Sequence, residues 1–303
     1  MKVLLVGGTG HIGTHLVPML MAQGHDVYIA TRGMTMVDTS ACNGVQFISC
    51  DATSPQSLET IANTYSFDAV VDFPGTGYAV WQAFQGKAAH IIVCGSLWMF
   101  GRPHRVPTPE LTQDSCPFDV YAERYAQIQN MLSQSVDGQT AFTAIMPSNI
   151  CGPGKIPLDT MGGRSLAVHQ ANARGETVYL PDGPEALISP CDANDLAQLF
   201  SLTVNNRDAA AGQIFNGGAA YGLTASAFVR TYASIYGVEI PIAYVPWEKY
   251  KQINSEKSAW WHFYADMCPD ISKAKTLLGY APQYTPEQTM ERAVAWMRAQ
   301  GWI

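Results

Sequence analysis

A glycine-rich segment close to the amino terminus has the spacing of a phosphate-binding turn. Gly8-Thr9-Gly10-His11-Ile12-Gly13 fits the pattern G-x-G-x-x-G, and Gly7 adds an overlapping G-x-x-G-x-x-G. Glycines so spaced permit a tight turn, let backbone N–H groups approach a diphosphate, and let a helix pack closely on the preceding strand. The segment predicts that a dinucleotide is bound through Gly7, Thr9, Gly10, His11, Ile12 and Gly13.

The elements on either side of this turn decide its meaning, since glycine turns also join strands and helices that bind nothing. Residues 3–6 form a short apolar run typical of a buried strand, and residues 12–22 carry apolar side chains at helical spacing before Gly24. A helix that begins at the turn directs its positive dipole end toward an anion. This context favours a binding site over a purely structural turn.

Strands and helices alternate over the first 150 residues. Uniformly apolar runs at 69–73 and 89–94 are typical of strands covered on both faces, as in a parallel sheet. Further strands are predicted at 27–30, 45–49 and 141–146, and helices at 57–65, 80–84 and 120–132. The prediction is an α/β fold: a Rossmann-type doubly wound parallel sheet with a smaller carboxy-terminal substrate domain.

The regular alternation weakens where Gly152-Pro153-Gly154 breaks the chain. We therefore expect an NAD(P)-binding Rossmann domain over residues 1–150 and a smaller substrate-binding domain over residues 151–303. A helix predicted at 195–204 and a strand at 213–216 favour the return of residues 185–217 to the first domain.

The end of the second strand bears on which dinucleotide is bound. An NAD-preferring site places Asp or Glu there to bind the ribose 2′-OH, whereas this chain has Thr31-Arg32-Gly33. A guanidinium suits a 2′-phosphate, so NADP(H) is expected and NAD(H) is less favoured; the alternative is that Arg32 is a solvated loop residue. Asp51-Ala52 could bind the adenine amine, although Asp51 could instead cap a helix.

Bulk composition limits the classes of partner. Of 303 residues 47% are hydrophobic and 14% charged, the net charge is −7, and no run of Lys and Arg is present. Nucleic acid and anionic membrane are therefore not expected as partners, and small molecules are. The seven cysteines are scattered without a C-x-x-C pair, which predicts reduced thiols, a cytoplasmic location and no metal site. No segment is long and apolar enough for a signal sequence or membrane span.

The order of motifs along nearly the whole chain resembles the extended short-chain dehydrogenase/reductase superfamily, in its NAD-dependent epimerase/dehydratase group. The segments that carry the resemblance, besides the glycine turn, are 68–75, 94–101, 147–154, 194–197, 270–274, 278–280 and Pro282. Within that superfamily the chain looks closest to an atypical branch that includes chloroplast stem-loop-binding proteins, on account of the short crossover before residue 89, Arg32-Gly33 and residues 212–216.

The resemblance implies a set of active-site residues. Tyr121 matches the general acid/base, Ser96 matches the hydroxyl that orients the substrate oxygen, and Pro74, Gly75 and Pro147 fall in segments that contact the cofactor together with Ser96 and Tyr121. The family's Lys four residues after the Tyr is absent, and Tyr125 occupies its place. On a helix, Arg124 and Tyr125 share the face of Tyr121, so Arg124 could supply the missing cation and Tyr125 could contact ribose or relay a proton. Alternatively, Tyr125 packs in the core and Arg124 is solvated.

The expected substrate pocket is unusually apolar for this resemblance. Gly95 and Met146 stand where relatives carry a hydroxyl and an Arg. Trp98, Met99 and Phe100 would line the pocket, as would Trp261 in the aromatic run 260–264, unless these side chains are core residues. A fairly apolar substrate, and not a nucleotide sugar, is expected. His262 could be an acid/base partner, although a lone His among aromatic residues is more often a hydrogen-bonded core residue.

Three functions are compatible with these features. The favoured one is an NADP(H)-dependent oxidoreductase or epimerase-like enzyme that acts on a hydroxyl or carbonyl group. The alternative is a catalytically impaired dinucleotide-binding protein, a redox sensor or binding module, because the catalytic Lys is missing. RNA binding, by analogy with the stem-loop-binding relatives, is disfavoured by the acidic balance. The resemblance also implies a homodimer.

Overall fold

The computed structural model describes residues 1–33, 44–135 and 139–303. Its strands are β1 (Lys2–Val6), β2 (Asp26–Thr31), β3 (Gln46–Ser49), β4 (Ala69–Asp72), β5 (His90–Cys94), β6 (Ala141–Pro147), β7 (Asn149–Cys151), β8 (Val178–Pro181), β9 (Leu187–Ile188), β10 (Pro190–Asp192), β11 (Gln213–Gly217), β12 (Leu223–Thr224) and β13 (Ile242–Val245).

Its helices are α1 (Gly13–Ala22), α2 (Pro55–Thr64), α3 (Gly77–Phe84), α4 (Asp119–Ser135), α5 (Leu166–Ala173), α6 (Ala193–Asn205), α7 (Arg207–Ala210), α8 (Ala225–Tyr236), α9 (Trp247–Ile253), α10 (Lys257–Trp260), α11 (Ser272–Leu278) and α12 (Pro286–Ala299). Two single-turn 3₁₀ helices, Leu97–Phe100 and Trp261–Phe263, accompany them.

The central sheet has seven strands in the order β11-β6-β5-β4-β1-β2-β3, and every pair in it is parallel. Helices cover both faces: α2, α3 and α4 pack on one side, and α1, α6 and α11 on the other. Burial on both faces explains why β1 and β4 are apolar without alternation. The predicted Rossmann-type doubly wound sheet is confirmed.

A third hydrophobic cluster lies outside the sheet and is built mainly from α8, α12 and the pair β8–β13. Tyr232, Tyr250 and Phe228 are its largest buried side chains. The chain passes between this cluster and the sheet more than once: α6 packs on α1, and β11 pairs with β6 at the edge of the sheet. That the cluster forms a separate substrate-binding domain stays a prediction.

Two local predictions change. The crossover helix α3 begins at Gly77, three residues before its predicted start, because the turn at Gly75 ends β4 abruptly. Asp51 does not cap a helix, since α2 begins at Pro55 and the Ser54 hydroxyl accepts from the Ser57 N–H at its N-cap.

The six described cysteines are free, and Cys42 lies outside the described residues. In the described part of the chain, no helix has both the length and the apolar character needed to cross a bilayer.

Candidate functional site

The glycine turn fits a diphosphate, because each of its glycines has a separate steric role. A Cβ at Gly13 would lie 2.2 Å from the Gly8 carbonyl oxygen, so this glycine lets α1 approach β1. Gly7 has a φ of +73°, and a Cβ there would strike the ring of Pro74 at 2.7 Å. Gly10 differs, since a Cβ would meet only the Gly7 carbonyl oxygen at 3.5 Å and would otherwise project into open space. The exposed Gly10 therefore leaves room for a ligand to reach the backbone.

A cleft of about 470 Å³ opens above this turn. The predicted cofactor residues that line it are Gly7, Thr9, Gly10, His11, Thr31, Arg32, Asp51, Ala52 and Pro74. An adjoining cavity of about 310 Å³ shares the turn and adds Ile12 and Gly13. Together they form a continuous trough along the carboxyl ends of β1, β2 and β4, where dinucleotides bind in doubly wound sheets.

The end of β2 and the start of the segment after β3 set the charge at one end of the cleft. Arg32 lines the cleft and also a neighbouring cavity formed with Gly33, Phe47 and Ile48. Asp51 is exposed, and its Oδ1 accepts hydrogen bonds from the N–H and hydroxyl of Thr53 at 3.0 and 2.7 Å. These hydrogen bonds, and to a smaller extent Arg32, lower the pKa of Asp51. Asp51 is thus a charged side chain in the cleft.

Lys155 was not predicted as a cleft residue from the sequence. It lines the same cleft as the glycine turn, although it lies beyond β7 in a segment predicted to belong to the second domain. The Pro153 carbonyl of that segment accepts a hydrogen bond from His11 Nε2 at 2.9 Å. The position of Gly152-Pro153-Gly154-Lys155 just past the carboxyl end of a parallel strand was the available signal, because ligands of open α/β sheets bind at that edge.

Ser96 and Tyr121 both contact Trp98, Ser96 through the backbone and Tyr121 through the side chain. Ser96 lies just past β5, and its hydroxyl accepts from the backbone N–H of Trp98 at 3.3 Å. Tyr121 lies in the first turn of α4, and its ring stands perpendicular to the Trp98 indole with centroids 5.6 Å apart. Both are partly exposed. The structure therefore brings the two predicted hydroxyls to the same edge of the sheet.

Arg124 and Tyr125 lie one turn after Tyr121 on α4 and have different surroundings. Arg124 lies against Gly75, where a Cβ would fall 2.5 Å from its Nη1, so only glycine leaves room for the guanidinium. Its neighbour Asp72 is buried at the end of β4, and burial raises the pKa of Asp72 to about 6 against the opposing effect of hydrogen bonds from Thr76 and Gly75 and of the Arg124 charge. A cation therefore stands beside Gly75.

Tyr125 points elsewhere. Its hydroxyl accepts from Thr112 Oγ1 at 3.2 Å, and its ring packs edge-on against Phe100 with centroids 5.7 Å apart. These contacts hold Tyr125 between α4 and the loop before it. The packing alternative therefore has direct support in the contacts of Tyr125.

Gly95 and Met146 form a matched pair. A Cβ at Gly95 would lie 2.3 Å from the Met146 sulfur and 3.3 Å from the Met99 sulfur. Met146 is fully buried at the end of β6, and Met99 is 3% exposed beneath the same turn. The thioethers thus fill the volume that a polar side chain at position 95 would need, and Met99 belongs to the core.

An aromatic cluster lies beside Tyr121. Trp98 stacks on Phe118 at 4.8 Å and lies 4.9 Å from the His262 ring, while Trp261 meets Phe118 edge-on at 5.8 Å. The indole N–H of Trp98 is buried and has no acceptor among the described residues. Trp98 and Trp261 thus both pack on Phe118, and Trp261 is buried; that they line a substrate pocket stays a prediction.

His262 is a buried, hydrogen-bonded residue. Its Nδ1 accepts from the Asn149 side-chain Nδ2 at 2.9 Å, and the side-chain Oδ1 of Asn149 in turn accepts from the backbone N–H of Ser189. Burial, helped by the charge of Arg164, lowers the pKa of His262 to about 3. The ring is neutral at physiological pH and carries its proton on Nε2. Pro147, the remaining predicted contact, is buried beside Gly217 in the sheet.

Buried neutral histidines predict acid sensitivity. Burial lowers the pKa of His11 and His262 to about 3 and of His90 to about 4, from 6.5. The unfolded chain takes up these protons below pH 6.5 and the folded chain does not, so stability is lost as pH falls. At pH 5.5 each of these histidines lowers the free energy of unfolding by about 1.4 kcal/mol. Asp72 has a raised pKa and is mostly protonated in the folded state at this pH, which increases the free energy of unfolding by about 1 kcal/mol.

We expect the free energy of unfolding, measured by urea titration, to fall by about 3 kcal/mol between pH 7.5 and pH 5.5. His262→Gln should remove about 1.4 kcal/mol of that difference, because it deletes one of the histidines whose protonation the fold opposes. Equal stability of the wild-type protein at the two pH values would show that these rings are hydrated in the folded state.

The fold and the glycine turn define a Rossmann-type nucleotide-binding protein, and comparison with known families assigns it further. Residues 3–89 and 76–218 match the NAD dependent epimerase/dehydratase family. The chain belongs to this family, and the predicted membership of the extended short-chain dehydrogenase/reductase superfamily is confirmed. The closer resemblance to the stem-loop-binding branch stays a prediction.

Individual relatives are distant but full-length. UDP-glucose 4-epimerase of Halalkalibacterium halodurans is 23% identical over 333 residues, which cover 98% of this chain and 95% of the relative. The structure of UDP-glucose 4-epimerase from Thermotoga maritima with UDP-glucose has a TM-score of 0.78 at 19% identity and covers 99% of both chains. The same enzyme from Bifidobacterium longum, in complex with NAD⁺ and UDP, has a TM-score of 0.78 at 18% identity over 99% of both chains. At these identities the structures establish the shared fold.

Proposed function

We propose that this protein is an NADP(H)-dependent oxidoreductase or epimerase-like enzyme that acts on a hydroxyl or carbonyl group of a fairly apolar small molecule. The observation that carries the proposal is the cleft of about 470 Å³ in which the glycine turn and Arg32 face the same space. Membership of the NAD dependent epimerase/dehydratase family, and solved relatives described with NAD⁺, support a nicotinamide dinucleotide as the ligand of this cleft.

The choice of NADP(H) rests on the end of β2. Thr31, Arg32 and Gly33 offer no carboxylate that would repel a 2′-phosphate, and Arg32 belongs to none of the ion pairs in the described ranges 1–33, 44–135 and 139–303. Its guanidinium can donate two parallel hydrogen bonds to phosphate oxygens. Asp51 and Ala52 line the same cleft, and we assign them to the adenine.

In the proposed reaction, Tyr121, Ser96 and Arg124 each have a role. When bound, the nicotinamide supplies or accepts hydride. Tyr121 transfers the accompanying proton to or from the substrate oxygen, and the Ser96 hydroxyl donates a hydrogen bond that orients it. Arg124, fixed against Gly75, provides a permanent positive charge in place of the family's Lys. Hydride and proton together account for the two-electron change at the substrate carbon.

The substrate class follows from the walls of the site. Trp98, Phe118 and Trp261 form an aromatic cluster beside Tyr121, and the buried Met146 and Met99 fill the space beside Gly95 that a polar side chain would need. Such a surface favours an apolar body with one polar group near Ser96 and Tyr121. A homodimer and a cytoplasmic location stay predictions for this protein.

Replacing Arg32 tests the cofactor assignment. We expect Arg32→Ala to weaken NADPH binding by about 10- to 100-fold and to leave NADH binding within about twofold, because only NADPH carries the phosphate that the guanidinium contacts. Fluorescence titration of both cofactors gives the two dissociation constants. Arg174→Ala, which removes an exposed arginine paired with Glu176, is the matched control. Equal losses for NADPH and NADH would contradict the assignment.

The contacts of Tyr125 favour one alternative, a dinucleotide-binding protein with little or no turnover. Its hydroxyl is engaged by Thr112 and its ring by Phe100, so the position of the family's Lys contributes no charge. A protein of this kind would bind NADPH but would not oxidise it with any carbonyl compound. NADPH oxidation that depends on Tyr121 would exclude it.

A further inference from the structure

The segment from Ile150 to Ile156 contacts the glycine turn and is held at both ends by one partly buried arginine. Arg164 donates from Nη2 to the Ile150 carbonyl at 2.7 Å and from Nη1 to the Ile156 carbonyl at 2.9 Å. Because one guanidinium closes this loop, its position is fixed independently of any ligand. Residues 150–156 are called the crossing loop below.

The crossing loop touches the glycine turn itself. The Pro153 carbonyl accepts from His11 Nε2 at 2.9 Å, and a Cβ at Gly154, whose φ is +103°, would lie 3.4 Å from His11 Cδ2. Burial lowers the pKa of His11 to about 3, so the ring is a neutral donor with its proton on Nε2. The next residue along the loop, Lys155, is thereby placed at the cleft.

Within the described part of the chain, no ion pair involves the basic side chains around the cleft. Arg32 and Lys155 both line it, and Arg164 lies close enough to lower the pKa of Lys155, in addition to the larger effect of partial burial. None of the ion pairs within residues 1–33, 44–135 and 139–303 includes Arg32 or Lys155. The acid that lines the cleft, Asp51, is hydrogen-bonded to Thr53. An anionic ligand would relieve this repulsion.

We propose that Lys155 binds the diphosphate of the dinucleotide from the side opposite the glycine turn, so that the crossing loop closes the cofactor site. This inference rests on the proposed dinucleotide site and assigns its two basic side chains to different phosphate groups. Arg32 faces the additional cavity with Gly33 and Phe47 and serves the 2′-phosphate. Lys155 shares its surroundings with Gly10 and His11 and serves the group common to all four nicotinamide dinucleotides.

Because the two side chains would bind different phosphate groups, replacing Lys155 should change cofactor binding differently from replacing Arg32. Lys155→Ala should weaken NADPH and NADH to the same degree, by about tenfold or more, and leave their ratio unchanged, since a charge-assisted hydrogen bond to the shared diphosphate is lost from both. Adenosine 2′-monophosphate, which has no diphosphate, should bind the variant as it binds the wild type. Lys155→Gln, which keeps a polar side chain of nearly the same length but removes its charge, should behave like the alanine variant.

Fluorescence titration and thermal unfolding of these variants beside Lys87→Ala provide the test; Lys87 is a lysine whose ammonium donates to Asn63 away from the cleft. Unchanged dissociation constants in Lys155→Ala, or a loss confined to NADPH, would overturn the inference. If wild type shows no NADPH preference but Lys155→Ala still weakens both cofactors, the inference stands and the NADP(H) assignment fails. If wild type binds neither cofactor, both fail.

Discussion

Tyr121→Phe is expected to reduce turnover by at least about 100-fold while the dissociation constant for NADPH stays within about twofold, because the hydroxyl that transfers the proton is removed and the ring that packs on Trp98 is retained. Turnover is followed as NADPH oxidation with a panel of aromatic and aliphatic ketones. Turnover reports the proton transfer, and the dissociation constant for NADPH reports cofactor binding.

Tyr125→Phe is the matched control for that experiment, since it removes the same atom one helical turn away. Its hydroxyl contacts Thr112, so turnover should stay within about threefold of wild type. If Tyr121→Phe retains wild-type turnover, the acid/base assignment is wrong. If only Tyr125→Phe loses activity, the proton passes through the position that replaces the family's Lys.

Gly10→Val is expected to weaken dinucleotide binding by at least about 100-fold with little change in stability, since its side chain would project into the space through which a diphosphate reaches the backbone. The φ of Gly10 is not among the positive values that demand glycine, so the backbone accepts a side chain. Calorimetric titration with NADPH and thermal unfolding measure the two effects.

Gly13→Ala should give the opposite pattern. Its Cβ would lie 2.2 Å from the Gly8 carbonyl oxygen, so α1 must move away from β1 at a cost of about 2–4 kcal/mol in the free energy of unfolding. A Gly10→Val protein that binds NADPH as tightly as wild type would show that the turn is structural only.

Local patterns made the core of the fold predictable. A buried parallel strand has no polar face, so the strands predicted at 69–73 and 89–94 could be found from their largely apolar side chains, and β4 and β5 lie there. The glycine turn was predictable because its strand, spacing and helix lie within one continuous segment. The resemblance suggested Ser96 and Tyr121, which both contact Trp98, and their catalytic roles stay predictions.

Contacts between distant segments were not predictable in the same way. Lys155 reaches the cleft because Arg164 closes the crossing loop and His11 binds it, and neither contact leaves a pattern in the sequence. The contact between Arg124 and Gly75 depends on how α4 packs across the end of β4. Asp51 is a suitable cap residue by type, but α2 begins at Pro55, so the N-cap is Ser54.

The family relationship and the local chemistry bear on different parts of the function. The fold is shared with UDP-glucose 4-epimerases at 18–19% identity. Substrate choice depends on individual side chains, and the apolar substrate proposed for this protein rests on Met146 beside Gly95 and on the aromatic cluster of Trp98, Phe118 and Trp261. Measured activity on UDP-glucose would show that the aromatic cluster opens to admit a nucleotide.

Calorimetric titration of the wild-type protein with NADPH, NADP⁺, NADH and NAD⁺ tests the central claim most directly. The arrangement of Arg32, Lys155 and the open face of Gly10 predicts saturable binding of all four, with the phosphorylated pair at least tenfold tighter because of the 2′-phosphate. Absence of heat with every dinucleotide would contradict the claim and leave the glycine turn as a structural junction between β1 and α1.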